Sequence, residues 1–159
     1  MESDFLTQGP KVEEFENDLR SYCGSKHARV VTNATSALHL AYVAIGLKKD
    51  DIVWTSPNTF VSTANAALYC GAKVEFVDID PKTYNISIEA LKAKLKIAEA
   101  VGQLPKLIVP VHFAGQSCEM KEIWNLSKVY GFKVIEDASH ALGAEYKEKK
   151  VGSCDYSHI

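Results

Sequence analysis

The chain has 159 residues, of which 47% are hydrophobic and 24% charged, and its formal net charge at pH 7 is −2. This length and composition are typical of one soluble globular domain with a core of its own. The small net charge gives no reason to expect nucleic acid or an anionic membrane as a partner. No apolar run is long enough to span a bilayer.

The cysteines and the N-terminus predict a reducing compartment. Cys23, Cys70, Cys118 and Cys154 lie far apart and form no C-x-x-C pair, and the first four residues do not begin a signal peptide. Scattered thiols of this kind predict a cytoplasmic protein with reduced cysteines. The five histidines lack metal-ligand spacing, and so no metal site is predicted.

Helical periodicity and short apolar runs alternate along the chain. Helices are predicted over residues 12–22, 35–45 and 61–69, from near Ser87, and over 119–130. Strands are predicted at residues 28–31, 52–55, 73–77, 107–111 and 132–135. The charged residues 147–150 predict a solvated turn. Regular alternation with short connections predicts an α/β fold, in which a mainly parallel sheet carries helices on both faces.

The first stretch that could hold a ligand is T-N-A-T-S-A at residues 32–37, between a predicted strand and its helix. Ligands of open parallel sheets bind beyond the carboxyl ends of the strands. A helix start presents free N–H groups, and hydroxyls at Thr35 and Ser36 add donors, which suits a phosphate. Plain N-capping by Asn33 or Thr35 is the alternative. No nucleotide-binding glycine loop occurs in the sequence.

The second stretch, residues 56–65, places Phe60 just past a strand end among small polar residues. A planar cofactor needs a flat partner, and an aromatic ring provides one. A core phenylalanine at a helix start explains the position equally well.

The third stretch, residues 132–143, is an apolar run that ends in Glu136 and Asp137 and is followed by His140. In a low-dielectric site, a carboxylate stabilises a pyridinium strongly, and a pyridinium is the electron sink of pyridoxal phosphate (PLP) chemistry. The alternative is a strand-end aspartate that caps the next turn, with His140 as a packed neighbour. Together the three stretches supply a phosphate cradle, a stacking ring and a pyridinium partner.

The order and wording of these stretches resemble the DegT-type (DegT/DnrJ/StrS) PLP-dependent sugar-nucleotide aminotransferases. The shared motifs are V-x-x-F-E at 12–16, NATSAL at 33–38, P-x-T-F at 57–60 and EDASHA at 136–141. The resemblance covers nearly the whole chain. It implies the large domain of fold-type I PLP enzymes, which work as homodimers with active sites at the subunit interface.

The resemblance also implies roles for individual residues. Asp137 would pair with the pyridine nitrogen, Phe60 would stack on the ring, and His140 would sit near the 3′ oxygen of the cofactor. Thr35 and Ser36 would hold the phosphate, and Ala34 beside them would also bind the cofactor.

Further positions resemble those that contact the nucleotide sugar in relatives, namely Asp4, Phe5, Leu6, Thr7 and Ala34. The segment S-H-A-L-G at 139–143, with Y-K at 146–147 and K-V-G at 150–152, is most similar to the pseudaminic-acid branch. Enzymes of that branch aminate C4 of a UDP-linked 4-keto-6-deoxy-N-acetylhexosamine, with glutamate as the amino donor.

In the family, the catalytic Schiff-base lysine follows a Ser-Phe-His segment, which the resemblance places beyond Ile159. None of the lysines in the sequence matches its context. Residues 1–159 are therefore expected to be part of a cofactor-binding large domain, without the small C-terminal domain and inactive alone. A sheet cut in this way is expected to be marginally stable or to associate, because it exposes an edge and an apolar helix face.

Three alternatives remain open at this point. A sugar dehydratase of the same family has a histidine in place of the lysine. A relative without catalysis would bind the cofactor or a sugar, or would be a remnant. An unrelated doubly wound nucleotide-binding domain would use Asp137 only structurally. The aminotransferase hypothesis alone explains all three strand-end stretches.

Overall fold

A computed structural model of the chain describes residues 5, 7, 9–153 and 155–159. The predicted sugar contacts at Asp4 and Leu6 and the thiol of Cys154 lie outside the described residues. None of the described helices is long and apolar enough to cross a membrane.

The described residues form five α-helices and six short strands. The helices are α1 (Pro10–Cys23), α2 (Ala34–Ala44), α3 (Ser62–Tyr69), α4 (Ile88–Ala100) and α5 (Met120–Tyr130). The strands are β1 (Ile52–Thr55), β2 (Lys73–Phe76), β3 (Leu107–Val109), β4 (Lys133–Val134), β5 (Glu145–Tyr146) and β6 (Lys149–Lys150). A single 3₁₀ turn at Phe113–Gly115 follows β3.

Strands β1 to β4 form one parallel sheet in the order β2-β1-β3-β4. Thr55 at the end of β1 is level with Phe76 and with Val109, so these strands end at the same edge. Beyond β3 and β4, Val111 and Asp137 form a further parallel bridge that carries the pairing past the strand ends. The predicted parallel α/β fold is confirmed.

The core consists of two layers, one on each face of the sheet. Successive residues of a strand point to opposite faces. Trp54, Ile108 and Val134 accordingly pack against α4 and α5, whereas Val53 and Leu107 pack against α2 and α3. Because both faces are covered, the strands are the continuous apolar runs expected of a buried parallel sheet.

The helix ends follow local capping rules, and the predicted helix start near Ser87 is confirmed. Gly24 and Gly131 adopt left-handed backbone conformations directly after α1 and α5, with φ of 70° and 81°. Glycine takes up this conformation without a Cβ penalty. Ser87 caps α4 by accepting a hydrogen bond from the amide of Ala90.

The predicted strand at residues 28–31 is wrong. This segment has no strand partner in the described chain, and the amide of Val30 instead donates to Glu16 Oε1 at 3.0 Å. Arg29 donates to the other carboxylate oxygen of Glu16 at 2.6 Å. Glu16 lies on α1, and so its side chain supplies the partner that a neighbouring strand would have supplied.

The charged residues 147–150 form the solvated turn that the sequence predicted. Strands β5 and β6 pair in an antiparallel hairpin, and Lys147 and Glu148 between them are exposed. Both have positive φ, at 50° and 65°, which is the backbone of a tight two-residue hairpin.

The outer edge of β4 is bonded to the last two described residues. His158 donates its amide to the carbonyl of Val134 at 2.8 Å, and its ring Nδ1 accepts from the amide of Val134 at 3.1 Å. Glu136 donates its amide to the carbonyl of Ile159. His158 therefore satisfies both backbone groups of Val134, and its ring must be neutral at Nδ1 to do so.

This arrangement predicts an acid-sensitive contribution of His158 to stability. Burial, and then the charges of Lys133 and Lys128, lower the pKa of His158 below its ordinary value. The pKa of a histidine in the unfolded chain is about 6.5, which is higher than the folded-state pKa of His158. Just below that pH, the unfolded chain therefore binds more protons than the folded chain. The contribution is therefore present above about pH 6.5 and is lost as the pH falls through the folded-state pKa.

Urea unfolding at about pH 7 and about pH 5.5 measures this difference. His158→Asn keeps an acceptor for the Val134 amide but does not titrate, so we expect its stability to fall less on acidification than that of the wild type. His27 is exposed, and His27→Asn should retain the wild-type pH dependence. Equal pH dependence in wild type and His158→Asn would contradict the assignment.

Candidate active site

A cleft of about 390 Å³ opens at the carboxyl ends of β1 and β3, against the starts of α2 and α3. Small-molecule pockets are commonly about 300–1,000 Å³, so the cleft is large enough for a cofactor-sized ligand. The structure brings five of the six predicted cofactor residues into its wall, namely Ala34, Thr35, Phe60, Asp137 and His140. Ser36, the sixth, does not line the cleft in the described part of the chain.

Asp137 is buried, with 6% of its surface exposed, and hydrogen-bond donors surround its carboxylate. Oδ1 accepts from the amide of Ser139 at 3.2 Å and from its hydroxyl at 2.6 Å. Oδ2 accepts from the hydroxyl of Thr63 at 2.6 Å. A carboxylate has about four acceptor positions, and three of these are filled. Among the described residues the fourth position has no donor, and the side chain belongs to the cleft wall.

The backbone of Asp137 is fixed as firmly as its side chain. Its amide donates to the carbonyl of Pro110 at 2.9 Å, and its carbonyl accepts from the amide of His112 at 3.1 Å. These bonds continue the pairing of β3 with β4 beyond the sheet. The parallel register therefore determines where the carboxylate enters the cleft.

Behind Asp137, Thr63 connects the site to the core. The hydroxyls of Thr59 and Thr63 are 2.8 Å apart, and the buried Tyr42 donates its hydroxyl to the carbonyl of Thr63 at 2.9 Å. Burial, and then the negative charge of Asp137, raise the pKa of Tyr42 above its ordinary value. Tyr42 therefore stays protonated and acts as a donor at neutral pH.

The first turn of α2 provides both a cap and free donors. Asn33 accepts the amide of Ser36 through Oδ1 at 2.9 Å, so the capping that the sequence allowed is present. The first-turn amides of Ala34 and Thr35 remain directed toward the N-terminal end of the helix, where its dipole is positive. Capping and anion binding use different groups here, and the two interpretations are compatible.

Phe60 lies at the mouth of the cleft with 72% of its surface exposed. A core phenylalanine would be buried, so the structure excludes the alternative that the sequence left open. The carbonyl of Phe60 accepts from the amide of Thr63 at 3.2 Å, which fixes its backbone at the start of α3. An exposed ring over a polar cleft can stack on a planar ligand.

His140 is exposed and lines the cleft on the turn after Asp137. Gly115 positions this turn, because a Cβ at Gly115 would lie only 3.0 Å from the carbonyl oxygen of His140. Gly115 also has a φ of 85°, a conformation that other residues rarely adopt. Close backbone approach therefore requires glycine at this position.

His112, which follows the apolar run of β3 and is fully buried, was not among the predicted site residues. Its Nδ1 accepts the amide of Cys118 at 3.2 Å, so the ring hydrogen is on Nε2, which donates to Glu136 Oε2 at 2.8 Å. Burial, and then Glu136, raise the pKa of Cys118 to about 12, so this thiol is not a nucleophile at neutral pH. Because His112 directly follows the strand predicted at residues 107–111, the strand-end rule applied to Asp137 could have identified it.

Other predicted positions lie elsewhere. Phe5 lines a separate groove with Glu16 and Arg29, and Thr7 is exposed outside the cleft. Among the described residues, no lysine lines the cleft. Thr63 and Ser139, which hold the carboxylate of Asp137, were not among the predicted site residues.

The sequence matches the model of the DegT/DnrJ/EryC1/StrS aminotransferase family over residues 1–158. Among curated proteins, it is 54% identical over 154 residues to the UDP-4-amino-4,6-dideoxy-N-acetyl-beta-L-altrosamine transaminase of Campylobacter jejuni. That alignment covers 96% of this chain and 39% of the Campylobacter protein. The chain thus spans about two fifths of the length of this relative.

Two solved structures are similar in fold and sequence. Helicobacter pylori PseC, an aminotransferase involved in the biosynthesis of pseudoaminic acid, superposes with a TM-score of 0.84 at 37% identity, over 94% of this chain and 39% of PseC. The Bacillus subtilis protein ntda, solved with bound cofactor PMP, superposes with a TM-score of 0.83 at 32% identity. That superposition covers 95% of this chain and 32% of ntda.

Removal of the α2 cap tests the local geometry of the cleft. We expect Asn33→Ala to lower the free energy of unfolding by about 1 kcal/mol, because the amide of Ser36 loses its partner. Asn33→Ser should retain most of the wild-type stability, since serine is also a good cap. Asn17→Ala, at an exposed position inside α1, is the matched control and should not be destabilising. Urea denaturation measures the free energy of unfolding of the wild type and the three variants. An unchanged free energy of unfolding in Asn33→Ala would show that the cap does not contribute to stability.

Proposed function

The chain belongs to the DegT/DnrJ/EryC1/StrS aminotransferase family, and from this membership and the geometry of the cleft we propose that it is the cofactor-binding part of a PLP-dependent sugar aminotransferase. The observation that carries the proposal is the buried carboxylate of Asp137, which shares one cleft with the exposed ring of Phe60 and the start of α2.

The residues of the cleft fit the three parts of PLP. The free acceptor position of Asp137 suits a protonated ring nitrogen, and the ring of Phe60 is free to cover one face of a planar ligand. The phosphate would lie at the start of α2, held by the amides of Ala34 and Thr35 and the hydroxyl of Thr35. His140 would lie beside the 3′ oxygen. When bound, PLP supplies the electron sink for amino transfer.

The proposed substrate is a UDP-linked 4-keto-6-deoxy-N-acetylhexosamine, aminated at C4 with glutamate as the donor, in the biosynthesis of pseudaminic acid. The similarity to the Campylobacter transaminase, whose name contains a UDP-linked amino sugar, and to Helicobacter PseC supports this choice. The segment of Asp4, Phe5, Leu6 and Thr7, together with Ala34, would contact the nucleotide sugar.

The proposal also concerns the whole protein. The lysine that forms the Schiff base and the small domain would be supplied by sequence beyond Ile159, and residues 1–159 alone would not turn over. The protein would act as a homodimer; Phe15 and Tyr22 on α1 and Leu142 beside them are exposed apolar residues that a second subunit would cover. The free thiols of Cys23, Cys70 and Cys118 agree with a cytoplasmic location.

Substitutions at the ring site test cofactor binding, in protein expressed from the complete reading frame. Asp137→Asn retains the size of the side chain but loses the charge, and we expect PLP to bind about ten- to a hundredfold more weakly. Phe60→Ala should weaken binding by about two- to tenfold through lost stacking. Phe76→Ala, at another exposed phenylalanine away from the cleft, is the control. Fluorescence titration with PLP measures each dissociation constant. Wild-type affinity for PLP in both Asp137→Asn and Phe60→Ala would contradict the assignment of these residues to the cofactor site.

The substrate is tested with the same full-length protein, glutamate and a panel of 4-keto-6-deoxy sugar nucleotides carrying UDP, GDP or dTDP. We expect the highest kcat/KM for the UDP-linked N-acetylhexosamine, and mass spectrometry identifies the aminated product. A strong preference for a sugar on another nucleotide would overturn the proposed substrate. The coding sequence beyond Ile159 provides an independent check: a lysine after Ser-Phe-His supports amino transfer, and a histidine there supports dehydration.

A further inference from the structure

Thr63 lies in the first turn of α3 and is completely buried. Its hydroxyl donates to Asp137 Oδ2 at 2.6 Å and is 2.8 Å from the hydroxyl of Thr59. A threonine has one hydroxyl hydrogen. Because that hydrogen is given to Asp137, Thr59 must be the donor in the pair of threonines. The hydrogen bonds therefore run in one direction, from Thr59 to Thr63 to Asp137.

Thr63 does not itself line the cleft. Any effect that it has on a ligand must therefore pass through a neighbour, and its side chain bonds to the carboxylate of Asp137. Together with the two bonds from Ser139, it leaves the carboxylate about one free acceptor position. Every protein group that bonds to this carboxylate in the described structure is a hydrogen-bond donor. The carboxylate is therefore an acceptor throughout, and its fourth position can accept one more hydrogen bond.

We propose that Thr63, oriented by Thr59, is a positioning residue that holds the carboxylate of Asp137 with its free acceptor position toward the cleft. The site then prefers a planar ring with a protonated nitrogen to a ring of the same shape that lacks this nitrogen. This inference rests on the proposed function, because it concerns the ring of PLP.

The backbone of Thr63 is held independently of its hydroxyl. Its amide donates to the carbonyl of Phe60 at 3.2 Å, and its carbonyl accepts from the hydroxyl of Tyr42 at 2.9 Å. Thr63→Val removes the hydroxyl and keeps the shape of the side chain, so we expect the start of α3 to keep its place. Oδ2 of Asp137 then lacks a buried donor, and the carboxylate rotates or recruits water to recover one.

A matched control is present at the end of β1. Thr55 is also completely buried, and its hydroxyl donates to the backbone carbonyl of Val109 at 2.8 Å. Thr55→Val therefore makes the same chemical change, at an equally buried position, to a hydroxyl that bonds to Val109 instead of Asp137. Thr63→Ser retains the hydroxyl and is the conservative variant.

The experiment compares two probes in protein expressed from the complete reading frame. PLP has the ring nitrogen, and 1-deazapyridoxal 5′-phosphate has a carbon in its place with the phosphate and aldehyde unchanged. Dissociation constants of both probes are measured by fluorescence titration for wild type, Thr63→Val, Thr63→Ser and Thr55→Val. Circular dichroism establishes that each variant is folded.

We expect Thr63→Val to bind PLP about ten- to a hundredfold more weakly than wild type, because a hydrogen bond to a charged group is lost. Its affinity for the deaza probe should be nearly unchanged, Thr63→Ser should restore PLP binding, and Thr55→Val should bind both probes as wild type does. Equal weakening for both probes would show a merely structural role and overturn the inference. Unchanged or tighter PLP binding would also overturn it. Failure of the wild type to bind PLP would instead refute the proposed function.

Discussion

A buried carboxylate is tolerated only where hydrogen bonds replace the water that it has given up. Asp137 meets this condition, and three separate parts of the chain hold it in place. Thr63 of α3 and Ser139 of the following turn donate to its oxygens, and the backbone beyond β3 fixes its main chain. The sheet register, the start of α3 and the turn after β4 thus depend on one another at this residue. The candidate cofactor site is also a structural junction.

The start of α2 also combines a structural role with a binding role. Asn33 satisfies the amide of Ser36, which leaves the earlier amides of the turn to an outside partner. A helix start that is capped in this way is rigid before any anion arrives, so less conformational entropy is lost on binding. The structural and the functional interpretation of residues 32–37 therefore describe different atoms of one motif.

The fold was predictable because its signals are local. Strands covered on both faces are apolar runs, and β1 begins and ends where the sequence predicted, at Ile52 and Thr55. The run at residues 28–31 has a similar local signal, but its amide at Val30 is bonded to Glu16, fourteen positions earlier. The sequence of a four-residue apolar run does not show whether a neighbouring strand is available to pair with it. Its conformation is decided by a tertiary contact.

The site was predictable to the same extent and for the same reason. Strand ends and helix starts identified Asp137, Phe60 and Thr35, because each lies where a local element stops or begins. Thr63, which orients Asp137, was not found because it bonds to it across 74 positions of sequence. His112 and Glu136, 24 positions apart, were missed as a pair for the same reason. Side-chain pairs of this kind are created by the register of the sheet, which spacing alone does not give.

The distribution of charge in the cleft restricts which ligands can bind more than the shape of the cleft does. The start of α2 is the positive end of a helix dipole and favours an anionic group, whereas Asp137 offers a negative charge and an acceptor. Phe60 adds an exposed aromatic face to the same cleft. A ligand that satisfies all three has an anionic group, a flat ring and a ring N–H in fixed order, and the opposite charges allow only one orientation. PLP with a protonated ring nitrogen has this pattern, and a neutral flat molecule of equal size does not.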